Sequence, residues 1–123
     1  MWRGLGIDGV IMFLGDDEKK PHRCLVQVKS GHVSSGDISQ LRGTIERENT
    51  QIGLFITLEE PTGPMQREAV EAGFYRSSLM QRDYPRIQIL TIRELFDRRE
   101  LQMPPMFNPY RLAERRHRDN QQL

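Results

Sequence analysis

The chain has very little cysteine. Cys24 is the only cysteine among 123 residues, so no disulfide can form within the chain. The three histidines have no spacing that would complete a zinc site with it. A reducing compartment is the simplest setting for such a chain, and we expect a cytoplasmic protein. Because Cys24 falls in an apolar segment, we expect a small buried side chain and not a nucleophile.

Long apolar runs and a dominant charge are also absent. No hydrophobic stretch approaches the length that crosses a membrane. Lys and Arg number 18 and Asp and Glu number 17, which gives a net charge of +1. The chain as a whole therefore has no strong attraction for nucleic acid, and DNA contacts would need local clusters of charge. The length suits a single folded domain.

Two apolar segments joined by a polar loop predict a β-hairpin near the N-terminus. The strands are expected at residues 7–14 and 23–29. Because side chains alternate between faces along a strand, Gln27 and Lys29 share one face. If the hairpin is symmetric about its loop, Asp8 lies across from Lys29, with Gln27 next along. A carboxylate, an amide oxygen and an ammonium group are then expected together at one end of a sheet.

This trio of side chains predicts phosphodiester hydrolysis. The carboxylate of Asp8 and the side-chain oxygen of Gln27 are hard ligands that suit Mg²⁺, and Mn²⁺ is expected to substitute for it. Lys29 would orient a metal-bound water and offset charge on the phosphate. Each residue also has a simpler interpretation, since Asp8 can be an ordinary Asp near a turn and Lys29 can extend into solvent from a strand end. The three residues together favour the site.

The segments GIDG at 6–9 and QVKSG at 27–31 resemble the motif of the restriction-endonuclease-like superfamily, which is written PD…(D/E)xK. The pattern looks closest to the Mrr-like branch, in which Gln replaces the acid of the second half-motif. The resemblance covers roughly residues 4–99, and it includes the strand context and the helix that follows the motif.

The resemblance implies a metal-dependent DNA endonuclease of a restriction-modification system. It implies that Asp8, Gln27 and Lys29 form the catalytic site, with Asp8 and Gln27 as metal ligands and Lys29 as the catalytic lysine. Family members usually have a helix before the Asp-bearing strand. Since only a short segment precedes the motif here, we expect the first core helix to be missing and the chain to be a fragment or a reduced version.

The remaining pattern predicts an α/β fold. Asp37 is expected to cap a helix that runs to about Asn49, and the apolar run at 52–58 predicts a strand that is buried on both faces. The second hairpin strand, this helix and this strand form a βαβ unit with a right-handed crossover. Further helices are expected at 65–72 and after Thr91. Together these elements predict a restriction-endonuclease-like mixed sheet flanked by helices.

Two further residues are expected to contact DNA. Ser30 begins a Ser- and Gly-rich loop directly after Lys29, and backbone amides in such loops bind anions. Arg42 lies in the following helix and can bind a phosphate in bidentate fashion. A connecting loop and a solvated helix face are the simpler explanations for the same residues.

The composition changes after Leu101, where prolines interrupt the pattern. We expect the nuclease domain to span residues 1–101 and a basic tail to span 102–123, whose arginines either contact phosphates or stay solvated. The alternative function is a non-catalytic DNA-binding or assembly module of this fold, attached to or associated with a DNA methyltransferase. Gln27 in place of an acid favours this alternative. A homodimer is consistent with double-strand cleavage, which needs two sites.

Overall fold

The computed structural model describes residues 6–17, 19–97 and 101–107. None of the helices in these ranges is long and apolar enough to cross a membrane. Residues 1–5 lie outside the described ranges, so the expected absence of a first core helix stays a prediction. The elements are, in chain order, β1 (Gly9–Asp17), β2 (Lys20–Lys29), α1 (Ser35–Arg47), β3 (Ile52–Thr57), α2 (Gly63–Glu71), β4 (Phe74–Ser77), β5 (Arg82–Pro85), β6 (Ile87–Thr91) and α3 (Ile92–Phe96).

The strands form a four-stranded mixed sheet and a separate two-stranded sheet. In the larger sheet the order is β1-β2-β3-β6, with β1 antiparallel to β2 and the other neighbours parallel. Strands β4 and β5 pair with each other in antiparallel fashion. The hairpin, the βαβ unit and the α/β class that the sequence predicts are all confirmed.

The register of the β1–β2 hairpin changes at an irregularity between Leu14 and Asp17. Next to the loop, Asp17 pairs with Lys20, as expected for a symmetric hairpin. Continued without a break, that pairing would set Leu14 opposite Arg23, but Leu14 lies opposite Pro21. A β-bulge of this kind places extra residues on one strand and shifts every pair beyond it.

The shifted register corrects one expectation about the site. Gly9 pairs with Val26, so the next position, Asp8, comes beside Gln27 and not across from Lys29. The predicted pairing of Asp8 with Lys29 is therefore wrong, because it required a regular hairpin and the irregularity shifts the register.

Two clusters of buried side chains lie on opposite faces of the sheet, as the alternation along each strand requires. Helices α1 and α2 cover one face, and β4 and β5 with residues 101–103 cover the other. The helix-covered face is formed by Leu25, Phe55 and Ile87 of the strands with Ile38, Leu41, Ile45, Met65 and Ala69 of the helices. The opposite face is formed by Phe13, Cys24, Ile52, Leu54 and Leu90 with Tyr75, Tyr84, Leu101 and Met103.

Residues just after the expected domain boundary pair with the outer edge of β1. The amide of Leu14 donates to the carbonyl of Pro105 at 2.8 Å, and the amide of Phe107 donates to the carbonyl of Met12 at 2.9 Å. The beginning of the expected tail thus lies against the sheet. The basic run at 111–118 lies outside the described residues, and the division of the chain at residue 101 stays a prediction.

Helix α1 begins three residues earlier than expected from the sequence, because its N-cap is Ser34 and not Asp37. Its N-cap is Ser34, and Asp37 occupies the third helical position. The carboxylate of Asp37 accepts a hydrogen bond from the backbone N–H of Ser34 at 2.8 Å. The expectation that Asp37 itself is the N-cap is therefore wrong, although Asp37 does satisfy a free backbone donor at the start of the helix.

Candidate functional site

Asp8 is held at the start of the hairpin by the backbone of β2. Its N–H donates to the carbonyl of Val26 at 2.9 Å, and its Oδ2 accepts from the N–H of Val28 at 2.7 Å. The residue is exposed. One carboxylate oxygen of Asp8 is therefore engaged in fastening the two strands where the regular ladder ends.

Gln27 lies on the helix-covered face and borders an open polar cavity of about 470 Å³ between β2 and α1. Its side-chain nitrogen approaches Gly6, where an added Cβ would lie 3.2 Å from it. The other lining residues are Ser39, Gln40, Gly43, Thr44 and Arg47. Gln27 is the neutral amide at the position that carries an acid in the motif, and within this cavity it faces further uncharged donors and acceptors and one guanidinium group.

Lys29 binds an acid of α1. Its Nζ donates to Oδ1 of Asp37 at 2.8 Å. The Asp37 side chain is 13% exposed and the Lys29 side chain 41%. Burial by itself raises the pKa of Asp37, but the hydrogen bonds from Lys29 and from the Ser34 backbone hold it below its usual value. The ammonium group is thus neutralised by a carboxylate that was expected from the sequence only as a helix cap.

The described side chains do not fit a dedicated Mg²⁺ site. Gln27 is neutral, so Asp8 is the only anionic residue of the two expected ligands. Within residues 6–17, 19–97 and 101–107, no group of three or more His, Cys, Asp or Glu side chains lies close enough to hold a metal ion. Since dedicated sites for hard divalent cations rely on several oxygen ligands, usually carboxylates, this donor set is poor.

The two expected DNA contacts differ in their surroundings. Ser30 is exposed and follows β2 directly. The guanidinium of Arg42 lies 3.5 Å from Glu46 on its own helix and 3.7 Å from Glu68 on α2. Arg42 therefore links α1 to α2 by ion pairs, and its contact with a DNA phosphate stays a prediction.

The fold and these contacts define a class of protein. A mixed sheet of this topology, with Asp8, Gln27 and Lys29 at the motif positions, is a restriction-endonuclease-like domain in which Asp8 and Lys29 bond to the protein itself. The chain belongs to the family described as NACHT-associated inactive Restriction Endonuclease 1, whose match covers residues 1–97. Comparison with curated proteins and with solved structures finds no match.

The family corrects the expected activity. It is described as inactive, so the expectation of a Mg²⁺-dependent DNA endonuclease is wrong, and the non-catalytic alternative is the better interpretation. The resemblance to the restriction-endonuclease-like superfamily is confirmed, whereas the Mrr-like branch receives no support. The family description names association with NACHT and mentions neither DNA nor a methyltransferase.

Proposed function

We propose that this domain is a non-catalytic assembly module that operates together with a NACHT-domain protein and does not cut DNA. The observation that carries the proposal is the 2.8 Å ion pair between Lys29 and Asp37. A catalytic lysine of this motif has to reach a metal-bound water or a phosphate. Here the ammonium group is bound to the first turn of α1, where it stabilises the fold.

The state of the expected metal ligands supports the same conclusion. Gln27 contributes no charge, and Asp8 accepts a hydrogen bond from the backbone N–H of Val28. To bind a metal ion, Asp8 would act without the second acid that balances the charge of the ion. Asp8, Gln27 and Lys29 thus fit the fold, but together they lack the second acidic ligand that metal-dependent hydrolysis needs.

The charge of the described residues favours assembly over DNA binding. Acidic side chains slightly outnumber basic ones within residues 6–17, 19–97 and 101–107. Arg42, the arginine expected to contact DNA, is paired with Glu46 and Glu68. DNA binding depends largely on phosphate neutralisation by Lys and Arg, so this part of the chain offers little for it. The family description names association with NACHT, and we take a NACHT-domain protein as the partner class.

A plasmid-nicking assay in Mn²⁺ tests the loss of catalysis. The wild-type chain, Lys29→Ala and Gln27→Glu are compared at equal concentration, after circular dichroism has shown that all three are folded. We expect no nicking above background from any of them, including Gln27→Glu, because Lys29 remains bound to Asp37. Nicking by the wild type that Lys29→Ala abolishes would overturn the proposal.

Binding assays separate assembly from DNA recognition. We expect the chain to bind a purified NACHT domain from the same source, and to shift duplex DNA only weakly in either EDTA or Ca²⁺. Tight DNA binding of equal strength in both solutions, without binding to the NACHT domain, would replace assembly by metal-independent DNA recognition.

A further inference from the structure

Strand β6 directs hydrogen-bonding groups away from the rest of its sheet. The N–H of Gly53 in β3 donates to the carbonyl of Arg86 at 2.7 Å. This bond shows which residues of β6 direct their backbone N–H and C=O groups toward β3, since the direction alternates along a strand. Gln88 therefore directs its backbone groups toward β3, whereas Ile87 and Ile89 direct theirs to the opposite side. Among the described residues no strand pairs with that side. Such an edge is a template for another strand.

The other edge of the sheet is treated differently. Along β1, Met12 and Leu14 pair with residues 105–107 of the same chain. The chain therefore closes one edge of its sheet with its own backbone and leaves β6 open within the part that the structure describes. An unpaired edge is normally protected by charge, by proline or by a covering element.

Among the residues that the structure describes, no charged side chain lines the groove at the β6 edge. The groove has a volume of about 250 Å³, and every residue that lines it is uncharged. The apolar residues Val70 of α2 and Phe74 of β4 form its wall, with 74% and 67% of their surfaces exposed. Its polar contributors are the amides Gln66, Gln88 and Gln102. In a chain with 28% charged residues, an uncharged groove beside free backbone groups is a distinctive surface.

The uncharged lining and the unpaired backbone groups of this groove indicate what can bind there. An extended and uncharged segment would satisfy both the backbone groups and the apolar wall, and the arginine-rich run at 111–118 is unsuitable because of its charge. Strand β6 itself, with the sequence IQILT, is extended and uncharged. We propose that two copies of this chain associate by antiparallel pairing of β6 with β6, so that Val70 and Phe74 of each copy cover the strand of the other.

Two-fold symmetry and the existing hydrogen bonds fix the register. A two-fold contact applies the same patch to itself, so the surface has to be self-complementary. The N–H of Thr91 is already bound to Oε1 of Glu94 at 3.1 Å and is not available. A pairing centred on Gln88 sets Ile87 of one copy opposite Ile89 of the second copy. In that register the backbone N–H and C=O groups of Ile87 and Ile89 in each copy bond to those of the other copy. Each outward-facing N–H of β6 then has an acceptor.

Light scattering of the full chain over a concentration series tests the dimer. We expect a dimer for the wild type and at least a ~10-fold weaker association for Val70→Lys and for Phe74→Lys, because each lysine would place a charge against the uncharged β6 of the other copy. Leu58→Lys is the matched control, since Leu58 is also apolar and 60% exposed but lies outside the groove. It should leave the association unchanged.

Hydrogen exchange at Ile89 provides a second measurement. We expect its amide to be protected in the dimer and to exchange rapidly in the monomeric Phe74→Lys variant. A wild type that stays monomeric at all concentrations overturns the proposal, and so does a dimer that neither lysine weakens. Slow exchange at Ile89 in a monomer would also overturn it, since the chain's own residues would then cover the edge. The proposal depends on β6 and α2 and not on Lys29, so the nicking assay and this test succeed or fail independently.

Discussion

The Nζ of Lys29 and the Oδ1 of Asp37 lie 2.8 Å apart, across the junction between the end of β2 and the first turn of α1. The same carboxylate accepts from the N–H of Ser34 through its other oxygen. Asp37 thus joins the strand end, the N-cap and the helix. The lysine of the motif is part of this junction, which explains how it contributes to the domain without catalysis.

Replacement of Asp37 by Asn should lower the free energy of unfolding at pH 7 by about 1 kcal/mol, since a charge-assisted hydrogen bond is lost while Lys29 remains partly solvated. Urea denaturation measures this change. The control is Asp83→Asn, because Asp83 pairs with Arg76 at 3.5 Å and both side chains are largely exposed. That variant should differ little from the wild type, and an equal loss in both variants would contradict a special role for Asp37.

The pH dependence of stability should distinguish the same two variants. The pKa of Asp37 is lower in the folded chain than its usual value of 3.8. Its contribution is therefore fully present above pH 3.8 and is lost as the pH falls through the folded-state pKa. Denaturation curves over the acid range should show this loss in the wild type and a smaller one in Asp37→Asn. Parallel curves for the two proteins would show that the ion pair adds nothing.

Replacement of Asp8 by Ala should leave the response to Mn²⁺ unchanged, because the described donors do not form a metal site. Titration calorimetry is expected to give no saturable binding for either protein. A loss of at most about 1 kcal/mol in stability is expected from the bond to the Val28 amide, since the residue is exposed. Saturable Mn²⁺ binding that disappears in Asp8→Ala would restore Asp8 as a ligand.

Gly15 should be essential for the bulge in the hairpin. A Cβ at this position would collide with the carbonyl oxygen of Lys20 and would lie 3.1 Å from the His22 ring. Gly15→Ala should therefore lower the free energy of unfolding by roughly 1–3 kcal/mol. Gly9→Ala is the matched control on the same strand, since a Cβ there meets no atom within 4 Å. Equal stability of the two variants in urea would show that the bulge accommodates a side chain.

Cys24 should react slowly with thiol reagents in the folded chain. Burial raises the pKa of its thiol to about 12, and the thiolate is the reactive form. Labelling at pH 8 is expected to be at least ~100-fold slower in buffer than in concentrated urea. Because the chain has a single cysteine, mass spectrometry reports this site directly. Rapid labelling of the folded chain would show that β2 opens readily or that Cys24 is accessible.

The periodicity of apolar residues was sufficient to predict the main elements of the fold. The β-branched run of β3 is continuous because both of its faces are buried, and the alternation in β2 indicates two different faces. These patterns depend on burial, which acts on each residue type in the same way wherever the element lies. They therefore predict the hairpin, the crossover helix and the mixed sheet without knowledge of tertiary contacts.

The register and the partner of Lys29 were not predictable in the same way. The pairing expected from a symmetric loop holds for Asp17 and Lys20, but the irregularity beyond them changes every later pair. Gly15 was the one available signal, since a glycine inside a strand often marks a bulge. Asp37 was recognised as a helix-start residue, but its reach to Lys29 depends on the position of α1 over the strand end.

The sequence by itself determined the type of each group: an amide at position 27, a single carboxylate at position 8 and an uncharged segment at β6. These identities already weaken the argument for a metal-dependent nuclease. Only the tertiary structure decided which groups meet, because an ion pair or a strand edge depends on distances of a few ångströms between elements that are separate in the chain. The first turn of α1 lies beside the end of β2, which brings Asp37 to Lys29, and the sheet order leaves β6 without a partner among the described residues.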